Sequence, residues 1–322
     1  MDHGQSPGTI GTGAPAARAA AGWLLLACLF WGLSFTWAKT VGETVNGAVG
    51  AGPGATLGPL WGLAVRFGIA ALLWIAIVPA ARTGWTIGAV RHGVWLGLLM
   101  SAAIIVQHLG LEHSGAAITA FLTSLTVVFV PLLSWAVTRR RPSNVIWMGV
   151  VLATVGVWLM TGATAEGFGI GELLGLICSI CWAVYIFVIA HSGLREHPAR
   201  MVAAQFIVAA VLSGGLSLML AGERLPAMVA ATIDPRVWQN VLLLALFATV
   251  AAFGILTYQQ PKIDAVRASL IYLAEPIFAA AFAWAWAGHG MTATQIGGAV
   301  LILVANVAVE VIAGRESVVV PD

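Results

Sequence analysis

Long apolar runs recur along the whole chain, many reaching the ~20 residues that a helix needs to cross a bilayer core roughly 30 Å thick. Backbone N–H and C=O groups in lipid must be satisfied within their own segment, so such runs read as helices. Charge decides against a water-soluble alternative. Only 9% of the 322 residues are charged, whereas a soluble domain carries roughly a quarter, so this chain cannot cover a water-facing surface. The expected fold class is an all-α integral membrane protein, multi-pass, in the cell (inner or plasma) membrane.

Transmembrane helices are expected near 21–41, 59–80, 93–112, 115–137, 143–162, 171–191, 199–221, 237–258, 265–287 and 293–313. That makes ten. Residues 1–19, rich in Gly, Ala, Pro, Ser and Thr, read as a disordered tail. The apolar stretch after them is too long for a cleaved signal peptide. Arg18, Arg82, Arg91, Arg139, Arg140, Arg141, Arg195, Arg200, Lys262, Arg267 and Arg315 fall on one side of this arrangement. Arg224 and Arg236 fall in loops on the other, and Lys39 and Arg66 lie within or at the end of spans. Positive charge concentrates in the cytoplasm, so both termini are expected there. "TRRRP" (138–142) reads as a topology anchor, with an anionic-lipid site as its alternative.

The chain repeats itself. "SGAAITAFLTSLTVVFVPLLSWAVTRRRPSNVIWMGVVL" (114–152) lies without a gap over "IDAVRASLIYLAEPIFAAAFAWAWAGHGMTATQIGGAVL" (263–301), matching Phe129 with Phe278, Trp135 with Trp284 and Gly149 with Gly298. "FWGLSF" (30–35) lies over "CWAVYI" (181–186), matching Trp31 with Trp182. Each unit then holds five spans. Five is odd, so the second unit enters the membrane in the opposite sense, an inverted repeat with a central cavity near the midplane. The expected division is a tail at 1–19, a first repeat at 20–162, a second at 163–314 and a tail at 315–322.

"LFWGLSFTWAKT" (29–40), "VRF" (65–67), "GLEHSGAAITAFLTSLTVVFVPLLS" (110–134), "GELLGLICSICWAVYIF" (171–187) and "AEPIFAAAFAWAWAGHGMTATQIGGAVLILVANV" (274–307) together resemble the EamA-type transporters of the drug/metabolite transporter superfamily. The resemblance covers nearly the whole chain after residue 20. It implies ten helices with cytoplasmic termini and a cavity lined by the first four helices of each half. It also implies export of amino acids or other small metabolites. One departure stands out. The family often carries Gly-Glu after the ninth span, where this chain has Gly288 and His289, and Arg139 and Arg140 occupy the matching place after the fourth. No role for that acid carries over.

Polar residues inside spans are the candidates for substrate binding, since they are costly in lipid and face a cavity or a partner. In the ninth span Tyr272, Glu275 and Ala279 share a helical face; in the fourth, Thr119, Thr123 and Thr126 do. The ungapped alignment puts Thr123 on Tyr272 and Thr126 on Glu275, so the two polar stripes coincide. Counted from Asp264, Glu275 lies about 17 Å along its helix, near mid-membrane. Pro276 beside it cannot donate to the Tyr272 carbonyl and reads as a hinge. Glu275 either serves the solute or a proton, or is a neutral carboxyl bonded to a neighbouring helix.

Arg66 reads as an anchor for an anionic solute group, or as a residue snorkelling outward, or as a structural partner of Glu43 or Glu112. Trp31 with Ser34, and Trp182 with Tyr185, read as matching aromatic walls, with plain packing as the alternative. His108, near Gln107 and Glu112, is a pH-responsive candidate; interhelical bonding is the alternative. Lys39 reads as an anchor, and Gln259 and Gln260 as interfacial. Cys178-x-x-Cys181 has the spacing of a metal or redox half-motif but no second pair, so Cys28, Cys178 and Cys181 read as packing residues.

No H-E-x-x-H, G-x-S-x-G, P-loop or carboxylate-rich cluster occurs, so the sequence signals neither enzyme chemistry nor a metal or cofactor. No basic cluster with interleaved aromatics suggests nucleic acid. The expected function is secondary transport of a small neutral, zwitterionic or lipophilic solute by alternating access, with protons as a candidate coupling ion and a monomer or homodimer in the bilayer. An intramembrane lipid enzyme and a passive channel are the competing readings.

Overall fold

The computed structural model describes residues 14–52, 55–139, 141–161, 169–191, 196–287 and 292–316. These residues form an all-helical protein with no strand among them: α1 (Ala14–Ala48), α2 (Leu57–Ile77), α3 (Ile87–Ser124), α4 (Thr126–Thr138), α5 (Asn144–Thr161), α6 (Ile170–His191), α7 (Pro198–Ala221), α8 (Leu225–Ala231), α9 (Pro235–Leu243), a π-helical segment (Leu244–Ala251), α10 (Ala252–Gln259), α11 (Ala265–Tyr272), α12 (Ala274–Ala287) and α13 (Ala293–Glu316). Among the described residues six helices are long and apolar enough to cross a membrane: Ala16–Ala48, Leu57–Ile77, Ile87–His113, Ile170–His191, Pro198–Ala231 and Pro235–Lys262. Leu122–Thr138, Asn144–Leu159 and Ala293–Ala305 are shorter apolar helices.

Several boundaries differ from those expected. Helix α1 starts at Ala14, inside the expected tail. Pro15 does not prevent this, because in the first turn a proline lacks only an N–H that would be unpaired anyway. The residues that follow it, 16–21, are five alanines and Arg18, all strong helix formers. Helix also continues through 113–114, where a turn between two spans is expected, and breaks instead at Leu125. The seventh span is followed by α8, a short helix where a loop is expected. The last helix runs to Glu316, past the expected end at 313. The tails at 1–13 and 317–322, the repeat junction at 162–168, Arg140, Arg195, Gly288 and His289 lie outside the described residues.

Local chemistry sets the helix starts. Asp264 caps α11 by accepting from the Arg267 N–H at 3.0 Å, and Asp234 caps α9 from Arg236 at 2.8 Å. Thr292 and Gln295 form a reciprocal capping box on α13, each side chain bonding the other's N–H at 3.2 and 2.9 Å. On the outer surface Leu72, Val151, Trp158 and Met219 are exposed, Met219 by 84%. Such apolar exposure is a liability in water and is satisfied by acyl chains in a bilayer.

Packing is reciprocal between the halves. Helix α2 packs on α7, and α5 on α13. Helix α1 lies along α9–α12 of the second half, and α6 lies along α3 and α4 of the first. Polar ties join the halves at both ends of α2: Trp61 Nε1 donates to Thr232 Oγ1 at 2.9 Å, while beyond the other end Arg200 Nε donates to the Thr83 carbonyl at 2.8 Å. Where α1, α6 and the broken helices meet, the arrangement leaves a central cavity.

Candidate functional site

Each half contributes one broken helix to this cavity, and the breaks fall within one residue of each other under the ungapped repeat alignment. The first lies at Leu125, between α3 and α4, and the second at Leu273, between α11 and α12. Different side chains stand at them. In the first half the Thr126 hydroxyl donates to the Thr123 carbonyl at 2.7 Å, with a longer 3.2 Å contact to the Ser179 carbonyl of α6. In the second half Pro276 has no N–H to offer the Tyr272 carbonyl. Both breaks present polar side chains inward at the point where the helix ladder is interrupted.

The cavity measures about 110 Å³. Trp31, Ser34, Arg66, His108, Thr123, Thr126, Trp182, Tyr272, Glu275 and Pro276 all line it. Tyr185 does not. Its ring touches Trp182, centroids 5.5 Å apart, but the residue is fully buried and its hydroxyl donates to Gln205 Oε1 at 2.7 Å. The matching of "Trp-x-x-Ser" with "Trp-x-x-Tyr" therefore brings the two tryptophans to the cavity and leaves the tyrosine in the packing behind it.

The aromatic wall has a centre that the sequence pattern does not reveal. Phe253 of α10 stands between the tryptophans, stacked on Trp182 (6.2 Å, 21°) and edge-on to Trp31 (5.3 Å, 61°). Tyr272 meets Trp31 at 5.8 Å. Tilted and edge-to-face pairs at these distances are favoured by the ring quadrupoles. Nothing in the pattern around Phe253 distinguishes it from other span phenylalanines.

Arg66 is only 4% exposed. It pairs with neither Glu43 nor Glu112: Glu43 is bridged to Lys39 at 3.7 Å, and among the described residues no carboxylate lies within 4.0 Å of the guanidinium. Its support comes from the second half instead. Nε donates to Thr249 Oγ1 at 2.6 Å and Nη2 to the Ala248 carbonyl at 3.1 Å. The same carbonyl accepts from Trp31 Nε1 at 3.1 Å. Both acceptors lie in the π-helical segment, a winding that is rare and often found at functional sites. Sequence alone carries no signal for it.

Around this anchor sit His108, whose Nδ1 meets the Ile104 carbonyl at 2.9 Å, and Gln107. Glu275 lines the cavity with no hydrogen bond or ion pair to another described residue, in electrostatic range of Cys28 and Cys178. The site thus holds a guanidinium and a carboxyl that are not paired with each other, set in aromatic and aliphatic walls. Gln260 is fully buried, accepts from Tyr272 Oη at 2.6 Å and donates to the Ile186 carbonyl at 2.8 Å, joining three helical segments beside the cavity.

Comparison with known proteins gives this geometry a family. The model of the EamA-like transporter family matches the chain twice, over residues 18–162 and 169–309. An "uncharacterized transporter" of Archaeoglobus fulgidus is 27% identical over 286 residues, 89% of this chain and 84% of that protein. A protein of Salmonella typhimurium named "probable amino-acid metabolite efflux pump" is 29% identical over 164 residues, 48% of this chain and 54% of that protein. A solved crystal structure 19% identical to the chain superposes with a TM-score of 0.68, covering 93% of this chain and 99% of its own, and shares the fold. With both halves matched, the chain is a multi-pass membrane protein that belongs to the EamA-like transporter family.

Proposed function

We propose that the protein exports amino acids or related neutral and zwitterionic metabolites by alternating access. The observation that carries this reading is the unpaired guanidinium and carboxyl facing one small cavity between the halves. A zwitterion satisfies both: its carboxylate binds Arg66, its ammonium approaches Glu275, and its side chain packs on Trp31, Trp182 and Phe253. The efflux name of the Salmonella relative supports the direction. Ten crossings follow if the six long helices are joined by α4, α5, α11 with α12, and α13, as two inverted units spanning 20–162 and 163–314. The Arg and Lys distribution then supports cytoplasmic termini. Pro276 and the break at Leu273 supply flexure as the units rock, and Glu275 is the candidate carrier of a coupling proton.

Counterflow in proteoliposomes tests the reading. Vesicles preloaded with the twenty proteinogenic amino acids should take up the labelled mixture saturably and return it unchanged. Non-saturable flux would make the protein a channel, and covalent change to the solute would make it an enzyme.

A further inference from the structure

We propose that Thr249 is a positioning residue for solute recognition: it holds the Arg66 guanidinium so that the Nη1–Nη2 edge clamps a single carboxylate in the cavity. This deepens the proposed function and rests on it. A guanidinium carries five N–H donors in a rigid planar fork. The structure uses two of them on one edge, Nε to Thr249 Oγ1 and Nη2 to the Ala248 carbonyl. Both Nη1 hydrogens and the second Nη2 hydrogen have no acceptor among the described residues, and Arg66 lines the cavity. The free Nη2 hydrogen and one Nη1 hydrogen form the adjoining end-on edge, whose two parallel N–H bonds match a carboxylate.

Thr249 is built to hold the other edge. It is fully buried, and its one hydroxyl hydrogen is donated to the Leu244 carbonyl, five residues back, at 2.8 Å. With that hydrogen committed, Oγ1 faces Arg66 as an acceptor only. The hydroxyl therefore has a fixed polarity, and it fixes the plane of the guanidinium. Ala248 reinforces the plane through the backbone, which substitution of its side chain cannot remove. Replacing Thr249 by valine keeps the shape and deletes the oxygen.

The test uses the intact protein in proteoliposomes and two probes: the twenty amino acids, and their carboxamide counterparts, which lack the carboxylate. Thr249→Val should raise half-saturation for the amino acids about tenfold, as expected for loss of one hydrogen bond to a charged group. Its maximal rate should stay within about twofold, the pattern of an interaction lost from binding. Carboxamide transport should be unchanged, and Thr249→Ser should restore amino-acid affinity. Equal loss for both probes, from misfolding or otherwise, makes Thr249 structural and overturns the inference. So does unchanged affinity in Thr249→Val while Arg66→Gln weakens amino acids selectively, a result that leaves the proposed function standing. If Arg66→Gln leaves the preference between probes unchanged, or the wild-type protein moves neither, the proposed function itself fails.

Discussion

Gly32 of α1 lies directly against the backbone of Glu275: a Cβ on Gly32 would stand 2.8 Å from the Glu275 carbonyl oxygen and 2.8 Å from the Ala279 nitrogen. Neither atom can swing aside as a side chain would. The first helix of one half thus crosses the broken helix of the other at backbone contact, beside the cavity. Small residues allow such crossings in membranes, where close van der Waals packing drives helix association.

Gly32→Ala should therefore destabilise the protein although alanine favours helix. The propensity gain is at most ~1 kcal/mol, while overpacking costs about 1–3 kcal/mol. Gly68 is the control, because nothing lies within 4 Å of the place a Cβ would take there. Thermal unfolding in detergent should show a lower Tm for Gly32→Ala and none of that loss for Gly68→Ala. Equal behaviour of the two variants contradicts the close crossing.

Glu275 faces the cavity without a partner among the described residues, and the matching place in the other half is held by Thr126. A neutral polar group therefore suffices at one of two equivalent positions. Glu275→Gln keeps shape and hydrogen bonding but removes titration. It should bind solute and lose the pH dependence of transport. Wild-type rates and unchanged pH dependence in both Glu275→Gln and Glu275→Ala would reduce Glu275 to a structural residue.

Trp31 touches Phe253 and Tyr272 and donates to the carbonyl that also holds Arg66. Trp31→Ala should raise half-saturation for amino acids by roughly tenfold or more, since a lost aromatic face and a disturbed anchor both act on binding. Folded protein in the membrane, judged by size-exclusion chromatography, should remain. Transport at normal affinity would make the tryptophan a packing residue.

Composition points to the helical class, because lipid leaves the backbone few alternatives, and the motifs from 29–40 to 274–307 carry the resemblance to the family. Boundaries are less legible. Polar residues around 113–114 suggest a turn, yet the helix continues and breaks at Leu125, whose N–H bonds the Leu122 and Thr123 carbonyls while the Thr126 hydroxyl also bonds back to Thr123. The polar residues gathered at the cavity are visible in the sequence as isolated costs in apolar spans. Their supports are not. Phe253, the Ala248 carbonyl and Thr249 look like ordinary span residues, and the last two bond partners from the distant first half. Tyr185 shows the converse: a matched position says which helix face a residue occupies, and its hydroxyl bonds Gln205 behind the cavity wall.

The topology is open to a direct check. Reporter fusions after Arg315 and within 138–142 should both read cytoplasmic, as the Arg and Lys asymmetry requires. A periplasmic reading at either place overturns the orientation.

Every functional role assigned above depends on the solute binding in the cavity between the halves. Ser34 lines that cavity, and its hydroxyl is engaged with its own helix, donating to the Trp31 carbonyl at 2.8 Å. Ser34→Phe should therefore fill a space of about 110 Å³ without removing an interhelical bond. Counterflow of the labelled amino-acid mixture is to be measured for wild-type and Ser34→Phe protein, both checked as folded. Saturable exchange by the wild type and none by the variant is expected; exchange by Ser34→Phe at the wild-type rate and affinity would place the solute elsewhere.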